Sequence, residues 1–239
     1  MDKILKIFKF EKIDSTSTYA SKLINEITDD FVVIANEQTQ GRGRLGNTFV
    51  SPIGGVYFTL AINEKKINNV ELIAFYVGVS IVSFFKNNYN VNLNIKWVND
   101  LIYDNKKVGG ILCERKLNIN NDFFILIGIG INVNQKYLSD EIKDFAISIN
   151  IKDSNENIIN GMINSIYHYI KFSKEEILKL YDEVLMLKGL EIEFYIDHQQ
   201  CHGIVQGIDE FGSLIVIGEK KYLLNSGVVS LSSKKVLKK

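Results

Sequence analysis

Apolar and polar residues along most of the chain follow two spacings, one typical of strands and one typical of helices. Alternating or short apolar runs predict seven strands, at residues 4–13, 31–36, 55–62, 94–97, 101–103, 107–114 and 123–133. Longer runs with helical spacing predict four helices, at residues 18–27, 70–85, 155–172 and 174–187. A capping box, Ser173 with Glu176, announces the last of these helices.

The pattern changes after Gly189, where short alternating runs are separated by turns. Their spacing predicts a small five-stranded barrel, with strands at residues 191–196, 203–208, 213–217, 221–224 and 228–231. We therefore predict two domains, one at residues 1–187 and a C-terminal one at residues 188–239.

The overall charge gives no general attraction to nucleic acid or to acidic membranes. The 239-residue chain carries 28 basic and 28 acidic residues, so any site for an anion must be local. The longest uncharged run, residues 72–85, has 14 residues, which is too short to span a bilayer and predicts a buried helix. The N-terminus lacks signal-peptide features, and two cysteines make no disulfide framework. These features predict a cytoplasmic protein.

The most informative stretch is Gln-Thr-Gln-Gly-Arg-Gly-Arg-Leu-Gly-Asn at residues 38–47, hereafter the Gly/Arg loop. Glycine lets the backbone approach a ligand closely, and Arg42 and Arg44 each carry a planar fork of donors that matches phosphate or carboxylate oxygens. The loop is neither a Walker A motif nor a Rossmann turn, because its charges lie between the glycines and no helix follows it. Taken alone, it is equally compatible with an anion site and with a flexible surface turn or nucleic-acid contact.

Other polar residues lie at predicted strand ends or turns, where binding sites are usually built. They are Ser15, Thr16, Ser17, Gln38, Lys96, Trp97, Asn99, Asp100, Lys107 and Asn132. The hydroxyl residues before the first helix have an alternative role as an N-cap. Lys107 begins an apolar strand and by alternation points away from Lys106, so it needs an anionic partner.

Three other features do not predict a metal, thiol or dinucleotide site. The pattern His198-x-x-Cys201-His202 lacks a fourth metal ligand, and Cys113 lies on a buried strand without a nearby histidine. The sequence Gly-Ile-Gly at residues 128–130 lacks the third glycine of a dinucleotide-binding fingerprint. We therefore predict no metal site made by the protein.

In their order along the chain, these motifs resemble those of the biotin protein ligase family. Residues 15–16 are similar to the start of the family's Ser-Thr-Asn, residues 38–46 to Gln-x-x-Gly-Arg-Gly-Arg-x-Gly, and residues 96–100 to Lys-Trp-Pro-Asn-Asp. Residues 107–112 are similar to Lys-x-x-Gly-Ile-Leu, and residues 128–132 to Gly-x-Gly-x-Asn. The resemblance covers essentially the whole chain, including the C-terminal barrel.

The chain departs from the family pattern at two positions. Ser17 stands where asparagine is usual, so it either contacts biotin or only caps the helix. Val98 replaces the customary proline, which should loosen the turn without removing a reacting group.

The resemblance implies an α+β fold, with a mixed sheet and helices related to class II aminoacyl-tRNA synthetases, followed by an SH3-like barrel. It implies a ligase that joins biotin and ATP, with Mg2+ carried by ATP, into biotinyl-5'-AMP. The biotinyl group then passes to a lysine of the biotin carboxyl carrier domain of a carboxylase. It also implies the monofunctional type without an N-terminal DNA-binding domain, acting as a monomer or homodimer with no nucleic-acid or membrane partner.

The resemblance further implies roles for individual residues. The catalytic set is Lys107, which would hold the biotin carboxylate, Arg42 and Arg44, which would hold the phosphoryl group, and Asp100. Biotin would contact Ser15, Thr16, Ser17, Gln38, Gly41, Arg42, Gly43, Arg44, Lys107 and Gly110. ATP or the adenylate would contact Arg42, Arg44, Phe49, Lys96, Trp97, Asn99 and Asn132, with strand packing as the alternative role of Phe49. Ordering of residues 41–49 would keep water away from the adenylate.

Two other functions stay open at this point. One is a lipoate or octanoate ligase of the same superfamily, which a competition assay with free lipoate or octanoate would identify. The other is a non-catalytic sensor of biotin or biotinyl-adenylate, which would show no biotin-dependent exchange of pyrophosphate into ATP.

Overall fold

The computed structural model describes residues 5–136, 138, 140, 142–196 and 199–225. Within these residues, the first seven strands are β1 (Lys6–Ile13), β2 (Phe31–Gln38), β3 (Val56–Asn63), β4 (Asn94–Lys96), β5 (Asp100–Tyr103), β6 (Lys106–Leu117) and β7 (Phe123–Ile131). They form one mixed sheet in the order β1-β2-β3-β7-β6-β5-β4. β1 and β2 are parallel, and all other neighbours are antiparallel.

Helices cover both faces of this sheet. Those in the described part of the chain are α1 (Thr16–Leu23), α2 (Ile73–Tyr89), α3 (Asn155–Tyr169) and α4 (Lys174–Glu183). α2 packs with α3 and α4 in the main core, against β3 and β6. α1 covers the other face with a smaller cluster made of Ala20, Leu23, Ile24, Phe31, Val33, Ala61, Phe124 and Leu126. The expected α+β architecture is confirmed.

Helix α2 lies inside the main core. With the 3-10 turn Val70–Leu72 before it, α2 forms a 20-residue segment whose length and composition alone would allow it to cross a membrane. However, 67% of the apolar window of this segment is buried inside the protein. The prediction of a buried helix is confirmed, although the helix is longer than its uncharged run.

A separate antiparallel sheet follows near the C-terminus. Its described strands are β8 (Glu191–Ile196), β9 (Gln199–Ile208), β10 (Leu214–Ile217) and β11 (Lys221–Leu224), in the order β11-β10-β9-β8. Its buried residues Ile192, Phe194 and Val205 belong to the same hydrophobic cluster as the core of the large sheet. The predicted fifth strand, residues 228–231, and His198 lie outside the described residues. The division between two domains at residue 188 stays a prediction.

Tertiary contacts move several predicted boundaries. β2 continues two residues beyond its predicted end, to Gln38, because it pairs with β1 along that length. α4 ends at Glu183, four residues before its predicted end, because backbone hydrogen bonds join Val184 and Met186 to Ile95 of β4. Both shifts are caused by partners distant in the sequence, which local spacing does not encode.

Candidate functional site

A cavity of about 300 Å3 lies between the Gly/Arg loop, the first turn of α1 and the central strands. Its wall is formed by Thr16, Ser17, Gln38, Arg42, Gly43, Arg44, Leu45, Asn47, Thr48, Phe49, Lys96, Trp97, Asn99, Asp100, Lys107, Gly110, Ile111, Leu112, Gly128, Ile129 and Gly130. The wall contains every residue that the sequence predicts for the site except Ser15, Gly41 and Asn132. Folding therefore gathers motifs from five separate parts of the chain around one space.

One end of the cavity carries a hydroxyl network, made of Thr16, Ser17, Thr59, Gln38 and Ser51. The backbone N–H and the Oγ1 hydroxyl of Thr16 both donate to Gln38 Oε1, over 2.8 and 3.1 Å. Thr59 Oγ1 lies 2.9 Å from Thr16 Oγ1 and 3.1 Å from Ser17 Oγ. Gln38 Nε2 donates to Ser51 Oγ over 2.9 Å. Because all these groups are neutral donors and acceptors, this end suits a neutral polar group of a ligand.

The early start of α1 places two of these hydroxyls. α1 begins at Thr16, two residues before its predicted start, and Ser15 is its N-cap. Ser15 Oγ accepts from the backbone N–H of Thr18 over 3.3 Å, so Ser15 has the capping role and lies off the cavity wall. Ser17 points toward the sheet, where a Cβ at Gly128 would lie 2.8 Å from Ser17 Oγ.

The other end of the cavity carries fixed charges. Lys107 Nζ lies 2.7 Å from Asp100 Oδ1, and Arg44 Nη1 donates to Asn99 Oδ1 over 2.9 Å. Asn99 and Asp100 are neighbours at the start of β5, so both cations are held by the same short segment. This segment therefore brings two cationic groups to the cavity wall, where their remaining N–H donors suit an anionic ligand.

Lys106 and Lys107 point to opposite sides of β6, as the alternation along a strand requires. Lys106 Nζ donates to the carbonyl oxygen of Lys143 over 3.4 Å, away from the cavity. Asp100 supplies the anionic partner that the sequence requires for Lys107.

Arg42 lies on the cavity wall, but its guanidinium is paired with a carboxylate. Nη1 and Nη2 of Arg42 donate to the two carboxylate oxygens of Glu114, each over 2.9 Å. A fork-to-fork pair of this kind fixes the orientation of the guanidinium as well as its position. The sequence predicted an anion contact for Arg42 and did not identify Glu114.

Lys96 and Trp97 form the wall at the end of β4. Trp97 is 8% exposed, and its indole N–H donates to the carbonyl oxygen of Gly212, in the turn between β9 and β10, over 3.1 Å. Burial lowers the pKa of Lys96 below that of an ordinary lysine, an effect that Asp100 opposes and Lys107 reinforces. The peptide bond between Trp97 and Val98 is cis. The small C-terminal sheet thus contacts the wall of the cavity directly.

Phe49 follows the Gly/Arg loop, and its ring covers paired glycines of β6 and β7. A Cβ at Gly130 would lie 2.5 Å from Phe49 Cε1, whereas a Cβ at Gly110 would lie 3.8 Å from Phe49 Cε2. The ring also meets the Tyr57 ring edge-on, with centroids 6.4 Å apart. The ring therefore requires glycine at position 130. Strand packing, the alternative role of Phe49, is present in this structure.

Gly41 and Asn132 lie off the cavity wall. A Cβ at Gly41 would lie 2.3 Å from the carbonyl oxygen of Phe49, so glycine is needed here for the loop to fold back on itself. Asn132 Oδ1 is buried and has no hydrogen-bond partner. Because an unpaired buried acceptor is costly, Asn132 stays a candidate for ligand contact.

Sequence reasoning missed Thr59, Ser51 and Glu114. Thr59 is fully buried in β3, and a threonine in the middle of a largely apolar and aromatic strand was the available indication. No local pattern indicates Glu114, because its partner lies 72 residues earlier in the chain.

The described residues offer no protein-made metal centre. In that part of the chain, no three or more His, Cys, Asp and Glu side chains are grouped to hold a metal ion. Asp100 is the one carboxylate on the described cavity wall. Because Mg2+ binds through one or two carboxylates together with substrate phosphates, the wall fits a Mg2+ ion that enters with a nucleotide.

Comparisons with known proteins agree on one family. Residues 9–132 match the sequence model of the biotin/lipoate A/B protein ligase family. The chain is 27% identical over 217 residues to the bifunctional ligase/repressor BirA of Bacillus spizizenii. The aligned region covers 85% of this chain and 67% of that protein. This chain is also 30% identical over 129 residues to the biotin–[acetyl-CoA-carboxylase] ligase of Paracoccus denitrificans. That aligned region covers 51% of this chain and 52% of that protein.

Solved structures show the same fold. The biotin protein ligase from Aquifex aeolicus in complex with biotin and ATP has a TM-score of 0.83 and 27% identity, over 95% of this chain and 98% of that chain. The biotin acetyl coenzyme A carboxylase synthetase from Helicobacter pylori has a TM-score of 0.72 and 22% identity, over 92% of this chain and 99% of that chain, which shows likeness of fold. The family match spans more than half of the length of this chain. The chain therefore belongs to the biotin/lipoate A/B protein ligase family.

Proposed function

We propose that this protein is an ATP-dependent biotin protein ligase. It joins biotin and ATP into biotinyl-5'-AMP and pyrophosphate, and it then transfers the biotinyl group to one lysine of a biotin carboxyl carrier domain. Two structural relatives support this choice of ligands, since one is described with biotin and ATP and the other with bound biotinylated ATP.

The observation that carries the proposal is that Lys107 and Arg44 lie on the wall of the same cavity as the hydroxyl network. The first half-reaction brings a carboxylate to a phosphate, and both are anions, so fixed cations must lie where they meet. Asp100 and Asn99 hold these two cations before any ligand arrives. Little reorganisation is then needed in the transition state.

The hydroxyl network is the proposed site for the ureido ring of biotin. A neutral urea group loses its water on binding and needs matched donors and acceptors in return. Thr16, Ser17 and Gln38 supply them. The Thr59 hydroxyl holds the Thr16 and Ser17 hydroxyls in place through hydrogen bonds.

The same network argues against lipoate or octanoate as the substrate. A dithiolane ring or a hydrocarbon chain would displace water from these polar groups and offer no hydrogen bond in return, which discriminates against such ligands. Free lipoate or octanoate in excess should therefore leave the rate of biotin incorporation unchanged. Inhibition by either acid at concentrations similar to those of biotin would favour the other ligase.

We assign the remaining wall residues by their position. Lys107 binds the carboxylate of biotin, and Asp100 orients Lys107 or the incoming acceptor lysine. Arg44 binds the phosphoryl group, together with the N–H donors of Arg42 that its pair with Glu114 leaves over. Lys96, Trp97 and Phe49 lie on the wall that would meet the adenylate. Asn132 follows β7 and lies off this wall, and its buried, unpaired Oδ1 makes it a candidate for adenylate contact. The Gly/Arg loop covers this site and keeps water from the reactive acyl-phosphate bond.

The proposed partner is the biotin carboxyl carrier domain of a carboxylase. Its acceptor lysine must enter the cavity and attack the acyl carbon of the adenylate. We place this reaction in the cytoplasm, because free cysteines suit a reducing compartment.

The direct test is incubation of the protein with biotin, Mg-ATP and a carrier domain, followed by mass spectrometry of the acceptor lysine. The expected result is one added biotinyl group that depends on ATP. Biotin-dependent exchange of labelled pyrophosphate into ATP tests the first half-reaction alone. Binding of biotin without either reaction would instead identify a sensor.

A further inference from the structure

We propose that Glu114 is a positioning residue that holds the Gly/Arg loop closed over the cavity by pairing with Arg42. The catalytic consequences of this contact rest on the proposed function. The contact itself, and the position of the loop, are properties of the protein without ligand.

The segment 41–49 forms a small hairpin of its own. Gly43 N donates to the carbonyl oxygen of Asn47 over 2.7 Å, and Phe49 N donates to that of Gly41 over 2.8 Å. These backbone hydrogen bonds lie within the hairpin and do not attach it to β6. Its position over β6 must therefore come from side-chain contacts.

Two such contacts join the hairpin to β6, one from each of its arms, while Arg44 joins it to Asn99 beside β5. The Phe49 ring lies over Gly110, and the Arg42 guanidinium binds Glu114. Residues 110, 112 and 114 share one face of β6, because side chains alternate along a strand. Leu112 lies between the two contacts and is part of the cavity wall. The hairpin thus lies along roughly 13 Å of this strand and covers the floor of the cavity.

The pair is suited to a contact that must open and close. Its two 2.9 Å hydrogen bonds make it stronger than a single ion pair. The Arg42 side chain is 42% exposed, however, which weakens the pair through solvent screening. Lys116 Nζ lies 3.4 Å from Glu114 Oε1, so Glu114 keeps a cationic partner when Arg42 leaves. Opening of the hairpin therefore does not leave the Glu114 carboxylate without a cationic partner.

Loss of this contact should shift the hairpin toward an open position without removing a reacting group. An open hairpin loses its fixed backbone conformation, so the peptide bonds after Arg42 and Arg44 can fit the active site of a protease, and water can reach the cavity. Under the proposed function, ligands would then leave sooner and the adenylate would hydrolyse before transfer.

The test compares Glu114→Gln with the matched control Glu64→Gln. Glu64 makes a similar two-pronged pair with Arg115, the next residue on β6, and this pair does not involve the hairpin. Limited trypsin digestion of the ligand-free proteins measures cleavage after Arg42 and Arg44 by mass spectrometry. We expect cleavage to rise roughly fivefold in Glu114→Gln, as the loss of about one such ion pair predicts, and to be unchanged in Glu64→Gln.

Equal cleavage of the two variants at the hairpin would overturn the proposal. So would a rise at all tryptic sites of Glu114→Gln together, because that result indicates general destabilisation. A second measurement follows AMP release without a carrier domain, which should rise relative to carrier biotinylation in Glu114→Gln. If the wild-type protein shows no pyrophosphate exchange, the proposed function fails, whereas the trypsin result still decides the role of Glu114.

Discussion

At the scale of single residues, the polar groups of the cavity are held in place by hydrogen bonds and ion pairs with neighbouring side chains. Asp100 holds Lys107, Asn99 holds Arg44, and Thr59 joins the hydroxyls of Thr16 and Ser17. Such contacts fix donors before a ligand binds, which reduces the entropy lost on binding. Replacing a supporting residue and replacing a reacting residue should therefore have different effects.

Replacing Lys107 by glutamine should nearly abolish adenylation. This substitution removes the charge at the proposed meeting point of carboxylate and phosphate, and we expect a loss of roughly a hundredfold to a thousandfold in kcat. Biotin-dependent pyrophosphate exchange measures the effect. Lys106→Gln is the matched control, because Lys106 points away from the cavity and should keep full activity. Equal rates for the two variants would contradict the role of Lys107.

Replacing Thr59 by valine should weaken biotin binding and leave the fold intact. Valine keeps the shape of the side chain but removes the hydroxyl that pairs with Thr16 and Ser17. Thr16 keeps Gln38 as a partner, so the cost of about 1–3 kcal/mol falls mainly on the buried hydroxyl of Ser17. Calorimetric titration should show biotin affinity reduced at least roughly tenfold, in line with that cost. Ser80→Ala removes another buried hydroxyl, in α2, and should change stability but not affinity. Unchanged affinity in Thr59→Val would remove the hydroxyl network from the binding site.

At the scale of elements, the pairing of β6 with β7 places two glycines side by side under one aromatic ring. Gly110 and Gly130 are partners in this register. The ring of Phe49 leaves no room for a side chain at Gly130, but it leaves ordinary contact distance at Gly110. The two glycines are therefore not equivalent, although each belongs to a motif that resembles the family pattern.

Gly130→Ala should destabilise the protein, whereas Gly110→Ala should fold normally. The added methyl at Gly130 overlaps the Phe49 ring, and overpacking of this kind costs about 1–3 kcal/mol. Thermal unfolding measures both variants. The double variant Gly130→Ala, Phe49→Ala should recover part of the lost stability, because the clashing ring is then absent. A wild-type melting temperature for Gly130→Ala alone would show that the ring lies elsewhere.

At the scale of the whole molecule, the small C-terminal sheet is joined to the large sheet by packing and by one polar contact near the cavity. The residues Ile192, Phe194 and Val205 continue the main hydrophobic cluster, and Gly212 accepts the indole N–H of Trp97. Packing that is continuous across both sheets predicts that they unfold together. The predicted boundary at residue 188 would then mark a change of architecture within one cooperative unit.

Replacing Trp97 by phenylalanine should lower the melting temperature and keep a single transition. The variant leaves the carbonyl of Gly212 without its donor, and we expect a loss of about 1 kcal/mol, or roughly 2–4 °C for a chain of this size. Differential scanning calorimetry is the measurement. Tyr195→Phe, at an exposed position of β8, is the control and should not shift the transition. Two separate transitions, with only one of them shifted, would show that the sheets unfold independently.

The sequence by itself determined the elements and most of the residues around the cavity. Spacing of apolar residues is a local property, so it was sufficient for β1, β3 and α2. The order of motifs then supplied Lys107, Arg44 and the hydroxyl pair Thr16 and Ser17. The charge or the hydroxyl group of each of these residues follows from its residue type, which can be read from the sequence.

Only the tertiary structure decided which partner each residue has. Nothing near Arg42 indicates Glu114, nothing near Thr16 indicates Thr59, and nothing near Trp97 indicates Gly212. The early end of α4 has the same origin, since it follows from hydrogen bonds to Ile95. Each of these contacts joins residues that are distant along the chain. Such a contact stabilises the protein only after the sheet has brought its two residues together. A local sequence pattern therefore does not predict it.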